Sequence, residues 1–169
     1  MPYVSLEPDQ PVENSRCRIF IFTEGTVLGP RNKLEQFAVS RYVPIGGCVS
    51  LIRLWREQGA EICYITSRKT PKAVGAVKKL LLGYGFAGSR LYYRASKQAY
   101  STLIEEARPD ILIEDDCQSI GGAEQMCITH VKPAIRQAIT SIAVNEFAGI
   151  DPLPPSLDEL LARQFREGM

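Results

Sequence analysis

Four short apolar segments recur along the chain and predict four buried strands. They cover residues 17–23, 61–66, 91–93 and 111–113, and the sequences CRIFIFT and EICYIT are the clearest. Continuously apolar segments that are rich in β-branched and aromatic residues are typical of strands covered on both faces. These segments therefore predict the core of a sheet rather than its edge.

Segments with helical spacing of apolar residues lie between the predicted strands. Residues 48–58 predict a helix that Gly59 ends, and Pro71 predicts the first turn of a second helix. Residues 96–108 predict a third helix. Strands that alternate with helices predict an α/β fold, a three-layer Rossmann-like domain with a mainly parallel sheet flanked by helices.

The 169 residues predict one domain with short additions at both ends. Residues 1–16 contain three prolines and no apolar periodicity, and predict an extended arm before the fold begins. Residues 17–150 predict the α/β domain. Residues 151–169 predict a linker and a C-terminal helix that packs on the same domain, ending near Arg166.

Less regular segments lie within the predicted domain. Residues 27–47 predict a short helix or hairpin near 32–42, and residues 123–148 predict a short helix and a strand within 139–144. Ser156 and Glu159 fit the first turn of the terminal helix, with Ser156 as the N-cap.

Composition excludes several classes of function. The formal charge of +1 gives no broad field for nucleic acid or an anionic membrane. No apolar segment is long enough to span a bilayer and no signal pattern opens the sequence, so a cytoplasmic location is expected. The five cysteines form no Cys-x-x-Cys pair and are expected to be reduced, and the single histidine, His130, argues against a zinc site.

Polar residues follow the predicted strands at their carboxyl ends, where parallel sheets bind ligands. Four groups stand there: Thr23, Glu24, Gly25 and Thr26; Thr66, Ser67 and Arg68; Lys97, at the expected start of a helix; and Glu114, Asp115 and Asp116. Hydroxyls, a lysine and clustered carboxylates suit a phosphate with its divalent cation. The three adjacent acids repel one another unless a cation or hydrogen-bond donors compensate.

These groups, in this order, resemble the four motifs of the haloacid dehalogenase-like superfamily of phosphohydrolases. The first strand of that superfamily ends in Asp-x-Asp-Gly-Thr, and the matching segment here is Phe22-Thr23-Glu24-Gly25-Thr26. Thr66 matches the second motif, Lys97 the third, and the acids at 114–116 the fourth. The intervals between the motifs leave no room for a folded cap, so the resemblance implies a capless member with an open site.

The resemblance implies a role for each residue. Glu24 takes the acid/base position and Lys97 a catalytic one, whereas the other matched residues are implied to bind phosphate (Gly25, Thr26, Thr66, Ser67 and Arg68) or magnesium (Asp115, Asp116 and Glu114). Phe22 departs from the pattern. The superfamily aspartate at this position attacks phosphorus and ligates magnesium, and a phenylalanine ring does neither.

Two hypotheses follow from Phe22. In the first, the domain lacks the aspartyl nucleophile and serves as a binding or regulatory module that keeps at most a weak magnesium or phosphate site. In the second, it is a divergent magnesium-dependent phosphohydrolase or phosphotransferase. That enzyme would use Thr23 as nucleophile in a register shifted by one residue, or water with Glu24 as base. The expected partner is a phosphorylated small molecule or a macromolecule.

A third hypothesis is a structural interaction domain. It places Phe22 and Tyr92 on an apolar surface that binds a partner.

Overall fold

The computed structural model describes residues 1–6, 14–95 and 97–165, with a six-stranded sheet at the centre. The strands are Tyr3–Ser5 (β1), Cys17–Phe22 (β2), Leu28–Gly29 (β3), Val43–Pro44 (β4), Ala60–Ile65 (β5), Arg90–Tyr92 (β6), Ile111–Asp115 (β7) and Thr140–Val144 (β8). Their order in the main sheet is β1-β6-β5-β2-β7-β8, in which only β1 runs antiparallel to its neighbour. Strand β2, which leads into the predicted first motif, therefore lies in the middle of the sheet.

Helices cover both faces of the sheet, which confirms the predicted three-layer α/β architecture. They are Cys48–Glu57 (α1), Pro71–Gly83 (α2), Tyr100–Ala107 (α3), Pro133–Arg136 (α4) and Leu157–Leu161 (α5). Side chains alternate along β2, so Ile19 and Ile21 join the core beneath α1, α2 and α5, whereas Phe20 joins the core beneath α3. Burial on both faces explains why the strand sequences are continuously apolar.

The N-terminal prediction needs a correction, because the sheet includes residues that precede Cys17. Tyr3, Val4 and Ser5 pair with Tyr92, Leu91 and Arg90 and form its antiparallel edge strand. Leu6 is 1% exposed and belongs to the core. The prediction that residues 1–16 precede the fold is therefore wrong for these positions, and the arm over residues 7–13 lies outside the described part.

The segment after β2 forms a small flap at the carboxyl edge, as the prediction of a hairpin anticipated. β3 and β4 pair antiparallel, and single turns of 3₁₀ helix at Lys33–Glu35 and Val39–Arg41 lie between them. The side chain of Asn32 accepts hydrogen bonds from the N–H groups of Leu34 and Glu35 and caps the first of these turns. The flap brings Tyr42 to the edge of the sheet where ligands are expected.

The third helix starts later than the sequence indicated. It begins at Tyr100 rather than at Ser96, and Ser96 itself lies outside the described residues. Lys97 adopts a φ of 70° in the preceding loop and is exposed. Because this left-handed backbone cannot continue a helix, the prediction that Lys97 opens one is wrong.

The C-terminal segment packs against α1. The indole N–H of Trp55 donates to the carbonyl of Pro154 at 3.0 Å, and Leu157 and Leu160 are fully buried. Ser156 Oγ accepts from the N–H of Glu159 at 3.3 Å, which confirms the predicted N-cap. The described helix and its 3₁₀ extension reach Phe165, and Arg166 lies beyond the described residues. Among the described helices, none has the length and apolar character needed to cross a bilayer.

Candidate functional site

A cleft of about 290 Å³ opens at the carboxyl ends of β2, β5 and β7. Its walls come from the loop after β2, the flap, the turn after β5 and the segment after β7. Six of its lining residues are Phe22, Glu24, Ser67, Arg68, Asp115 and Glu146. The structure thus brings together three of the four predicted groups, at the edge where a parallel sheet binds ligands.

Phe22 is the last residue of β2 and stands at the wall of this cleft, partly buried. Its ring meets the ring of Tyr100 edge-on, with centroids 5.2 Å apart. The carbon edges of the two rings therefore occupy the position where the resemblance implies a nucleophilic carboxylate. Tyr92, the other member of the predicted apolar surface, is only 7% exposed and stacks on Phe20. The hypothesis that Phe22 and Tyr92 form a partner surface is therefore wrong.

The carboxylate of Glu24 receives hydrogen bonds from several donors. The hydroxyl of Thr66 donates to Oε1, and the hydroxyl of Thr23 donates to Oε2 at 2.6 Å. The backbone N–H of Ser67 also donates to Oε2, at 3.1 Å. Glu24 thus joins the ends of β2 and β5 through charge-assisted hydrogen bonds.

Arg68 completes the surroundings of Glu24. Its Nε lies 3.5 Å from Glu24 Oε1 in an ion pair, and its side chain is only 32% exposed. The resemblance implied that Arg68 binds phosphate, and in the structure it contacts a carboxylate of the same chain. The guanidinium carbon of Arg94 lies 4.4 Å from the ring centroid of Tyr100, which is a favourable cation–π contact.

The remaining hydroxyls predicted at the site are buried and engaged. Thr23 and Thr26 are both 0% exposed. Thr23 Oγ1 lies within hydrogen-bond distance of Glu24 and of the carbonyl of Ile65, and Thr26 Oγ1 donates to Asp115 Oδ2 at 3.3 Å. Neither hydroxyl faces the cleft as a free nucleophile.

Lys97, the predicted third motif, does not reach this cleft. It lies in the exposed loop before α3 and is absent from the cleft walls, as judged over the described residues. Sequence spacing placed it near the site, but the helix that would have oriented it begins only at Tyr100.

Three carboxylates form a cluster at the opposite wall. One oxygen each of Asp115, Asp116 and Glu146 lie within 4.8 Å of one another. Asp115 Oδ1 accepts from the N–H of Cys117 at 2.8 Å, and Asp116 Oδ1 accepts from the N–H of Glu146 at 3.1 Å. Burial raises the pKa of Asp115, with the charge of Glu146 as a further cause in the same direction. Hard oxygen ligands at this spacing suit a divalent cation such as magnesium.

Glu146 belongs to this cluster but was missed by the sequence reasoning. It follows β8 by two residues, and β8 is the parallel neighbour of β7. The available signal was positional, because an acid just after a fifth parallel strand is expected at the same edge of the sheet. Its carboxylate is fixed by Ser119, whose N–H and hydroxyl donate to it at 2.8 and 2.6 Å.

Glu114 lies outside this cluster, although it also lines the cleft, so it does not join Asp115 and Asp116 as the predicted third magnesium ligand. Successive side chains of a strand point to opposite faces, so Glu114 turns away from Asp115. Its oxygens accept from the N–H groups of Cys127 and Ile128 at 2.6 and 3.1 Å. Burial raises the pKa of Glu114 to about 7, although these two hydrogen bonds act in the opposite direction. Glu114 therefore anchors the segment at Cys127 and Ile128, on the face of the sheet that α3 also covers.

Gly25 makes the close approach of the first loop to the cluster sterically feasible. Its φ is +84°, and a Cβ there would lie 2.8 Å from Asp115 Oδ2.

We expect Gly25→Ala to lower the free energy of unfolding by about 1–2 kcal/mol, through the strained backbone and the displaced carboxylate. Urea unfolding measures this. Gly75→Ala is the control, because Gly75 lies in α2 with no atom near its Cβ position and should gain about 0.5–1 kcal/mol. Equal effects of the two changes would contradict this account.

Comparison with known proteins bears on the fold. No protein-family model matches the chain, and no curated protein sequence matches it. Among solved structures, a chain of the "Structure of the Pnkp1/Rnl/Hen1 RNA repair complex" has a TM-score of 0.55 and 12% identity, covering 81% of this chain and 45% of that chain. A chain of the "Structure of Pnkp1/Rnl/Hen1 complex" has a TM-score of 0.55 and 13% identity, covering 82% and 50%. The present chain spans about half the length of the chains that it matches.

The fold and these similarities define a class. The protein is an α/β domain of Rossmann-like architecture, with a mostly parallel six-stranded sheet between helices. At 12 and 13% identity, the similarity to chains of an RNA repair complex describes the fold alone.

Proposed function

We propose that this chain is a haloacid dehalogenase-like domain without phosphatase activity, which binds a divalent cation and a phosphate-bearing ligand as a binding or regulatory module. The observation that carries the proposal is the aromatic contact between Phe22 and Tyr100 at the end of β2. A carboxylate nucleophile is needed at that position for an aspartyl-phosphate intermediate, and the carbon edges of the two rings offer no lone pair there.

The two buried threonines beside Glu24 offer no free hydroxyl as a replacement nucleophile. The hydroxyls of Thr23 and Thr66 are 0% exposed and donate to Glu24. Glu24, the acid/base position, is held by those hydroxyls and by the N–H of Ser67, so it is poorly placed to take a proton from water. The geometry therefore favours binding over the alternative of a divergent phosphohydrolase.

The cation is assigned to the carboxylates of Asp115, Asp116 and Glu146. All three offer hard oxygen atoms, and their mutual repulsion is relieved when a cation binds. Magnesium bound there would supply positive charge for a phosphate group in the cleft. The chain's own contribution is to fix Asp115 through Thr26 and Cys117, and Glu146 through Ser119.

The ligand is assigned by the shape and chemistry of the cleft. No folded cap covers it in the described part of the chain, so both a phosphorylated small molecule and a phosphorylated end of a larger molecule fit the proposal. The fold similarity to chains of a multi-protein repair complex supports a macromolecular partner only as a proposal for this chain.

A phosphatase assay tests the central part of the proposal. We expect purified protein with magnesium to hydrolyse p-nitrophenyl phosphate no faster than a sample without protein, because Phe22 replaces the nucleophilic carboxylate and the hydroxyls of Thr23 and Thr66 are engaged. Metal-dependent turnover that Asp115→Asn removes would overturn the proposal. It would favour the alternative in which water attacks a metal-bound phosphate.

A magnesium-binding measurement tests the part of the proposal that assigns a cation to the carboxylate cluster. We expect isothermal titration to detect magnesium binding to the wild type, and Glu146→Gln to weaken it by about tenfold or more because one of three carboxylate ligands is lost. Glu159→Gln is the matched control, since Glu159 lies on α5 outside the cleft. Absence of magnesium binding in the folded wild type would contradict the cation assignment.

A further inference from the structure

We propose that Glu24 occupies an oxyanion-binding site of this chain from within, and that inorganic phosphate binds there when the Glu24 carboxylate is removed. The inference rests on the proposed function, since this site opens into the same cleft. It adds a regulation of that site, because a carboxylate of the chain itself competes with the phosphate group of the ligand.

Three hydrogen-bond donors and one cationic group surround the Glu24 carboxylate. They are the hydroxyls of Thr66 and Thr23, the N–H of Ser67, and the guanidinium of Arg68, whose Nε lies 3.5 Å from Oε1. Two hydroxyls, a backbone amide and an arginine are the groups with which proteins bind phosphate and sulfate. We call these four groups the oxyanion cradle.

The cradle is held in place by bonds that do not involve Glu24. The N–H of Thr23 donates to Ile65 O at 2.9 Å, and the N–H of Thr66 donates to Tyr92 O at 2.9 Å. Thr66 Oγ1 also accepts from the N–H of Arg68 at 3.1 Å. Since Thr23 and Thr66 are fully buried at the ends of neighbouring strands, the donors should keep their positions when the carboxylate is removed.

The carboxylate satisfies the cradle incompletely. Arg68 Nε is buried and makes no hydrogen bond, although it lies in an ion pair with Glu24. A carboxylate offers two oxygens in a plane, whereas phosphate offers four in a tetrahedron. A phosphate in the cradle could therefore accept from Arg68 as well as from Thr66 and Ser67, provided that Glu24 is absent.

Glu24 competes strongly because it belongs to the same chain. A tethered group has a high effective concentration at its own site, and free phosphate must displace it. Glu24 is also only 10% exposed, so its carboxylate cannot simply turn into solvent. Free inorganic phosphate is therefore expected to bind weakly to the wild type, and the larger ligand of the proposed function must displace the Glu24 carboxylate through its other contacts.

Isothermal titration of inorganic phosphate into Glu24→Ala, with magnesium present, tests the inference. We expect the dissociation constant to fall by at least about tenfold relative to the wild type, because the tethered competitor is gone. Glu24→Gln is the matched control. It keeps the length of the side chain and fills the cradle, and phosphate should bind to it no more than about threefold more tightly than to the wild type.

A second change locates the bound anion. Thr66→Val in the Glu24→Ala background keeps the size of the side chain but removes one donor, and we expect it to return the dissociation constant to about the wild-type value. Should Glu24→Ala not fold, as judged by circular dichroism, Glu24→Ser supplies the same test with a side chain that is still too short to reach the cradle.

Two results would overturn the inference. One is unchanged phosphate binding in a folded Glu24→Ala or Glu24→Ser protein. The other is tight binding that Thr66→Val leaves unaltered, which would place the anion elsewhere. Either result leaves the proposed function standing if the wild type binds magnesium without turnover, whereas hydrolysis by the wild type would overturn the proposed function by itself.

Discussion

The protein is expected to lose about 2 kcal/mol of stability between pH 5.5 and pH 8 through Glu114 alone. Burial raises the pKa of this carboxyl to about 7 in the folded chain, from an ordinary value of 4.5. The folded state therefore binds more protons than the unfolded state between these two values. Stability from Glu114 is fully present below pH 4.5 and is lost as the pH rises through 7.

Glu114→Gln is the variant that isolates this effect. Its amide stays neutral at every pH and still offers one oxygen to the N–H of Cys127 or Ile128. Urea unfolding at several pH values, in EDTA to keep cations from Asp115, should give a curve for Glu114→Gln whose fall is smaller by about 2 kcal/mol. The titration of Asp115 is common to both proteins and cancels in the difference.

Equal pH dependence of the two proteins would contradict the raised pKa of Glu114. If wild type and Glu114→Gln lose stability in parallel as the pH rises, the two backbone hydrogen bonds outweigh burial and Glu114 is charged at neutral pH. Glu106→Gln is the control for a change of charge near α3. It removes a glutamate from the same helix layer, and we expect the pH dependence to stay as in the wild type.

The central fold could be predicted from the sequence because its strands are buried on both faces. Burial makes β2, β5 and β7 continuously apolar, so the sequence predicts their bounds to within a residue or two. The edge strand β1 has no such signal. It is three residues long and partly exposed, and only its pairing with β6 makes it a strand.

The residues of the candidate site could be predicted from the sequence where they directly follow or end a strand. Glu24, Thr66, Asp115 and Asp116 follow or end buried strands, and parallel pairing brings them to one edge. Lys97 could not be placed in this way. Its position depends on where α3 begins and on its own left-handed backbone conformation in the loop. Which acids join one cluster also depends on strand alternation, which separates Glu114 from Asp115.

The hydrogen bonds of Glu24 change how the missing nucleophile is interpreted. The sequence alone suggests that Phe22 is the single obstacle to catalysis. In the structure, Glu24 is bound by Thr23, Thr66 and Ser67, and Lys97 is exposed in a loop away from the cleft walls. If the proposed function holds, at least three positions of the site depart from what catalysis needs, and restoring one of them should be insufficient.

Phe22→Asp tests this directly, and we expect it to yield no magnesium-dependent phosphatase activity. It should also lower the free energy of unfolding by about 2–3 kcal/mol, because the edge-on contact with Tyr100 is lost and a carboxylate is placed in a partly buried position. Hydrolysis of p-nitrophenyl phosphate and urea unfolding measure the two effects. Phe22→Leu is the control for packing without charge, with an expected loss of about 1 kcal/mol.

The double variant Phe22→Asp with Glu24→Asp then separates the two obstacles. It restores both acids of the first motif, and the shorter side chain at position 24 withdraws the carboxylate from Thr66 and Ser67. Turnover in the double variant but not in Phe22→Asp would identify the hydrogen bonds of Glu24 as the second obstacle. Turnover in Phe22→Asp alone would contradict that view and would leave the aromatic ring as the whole cause, because nothing else would then have needed to change.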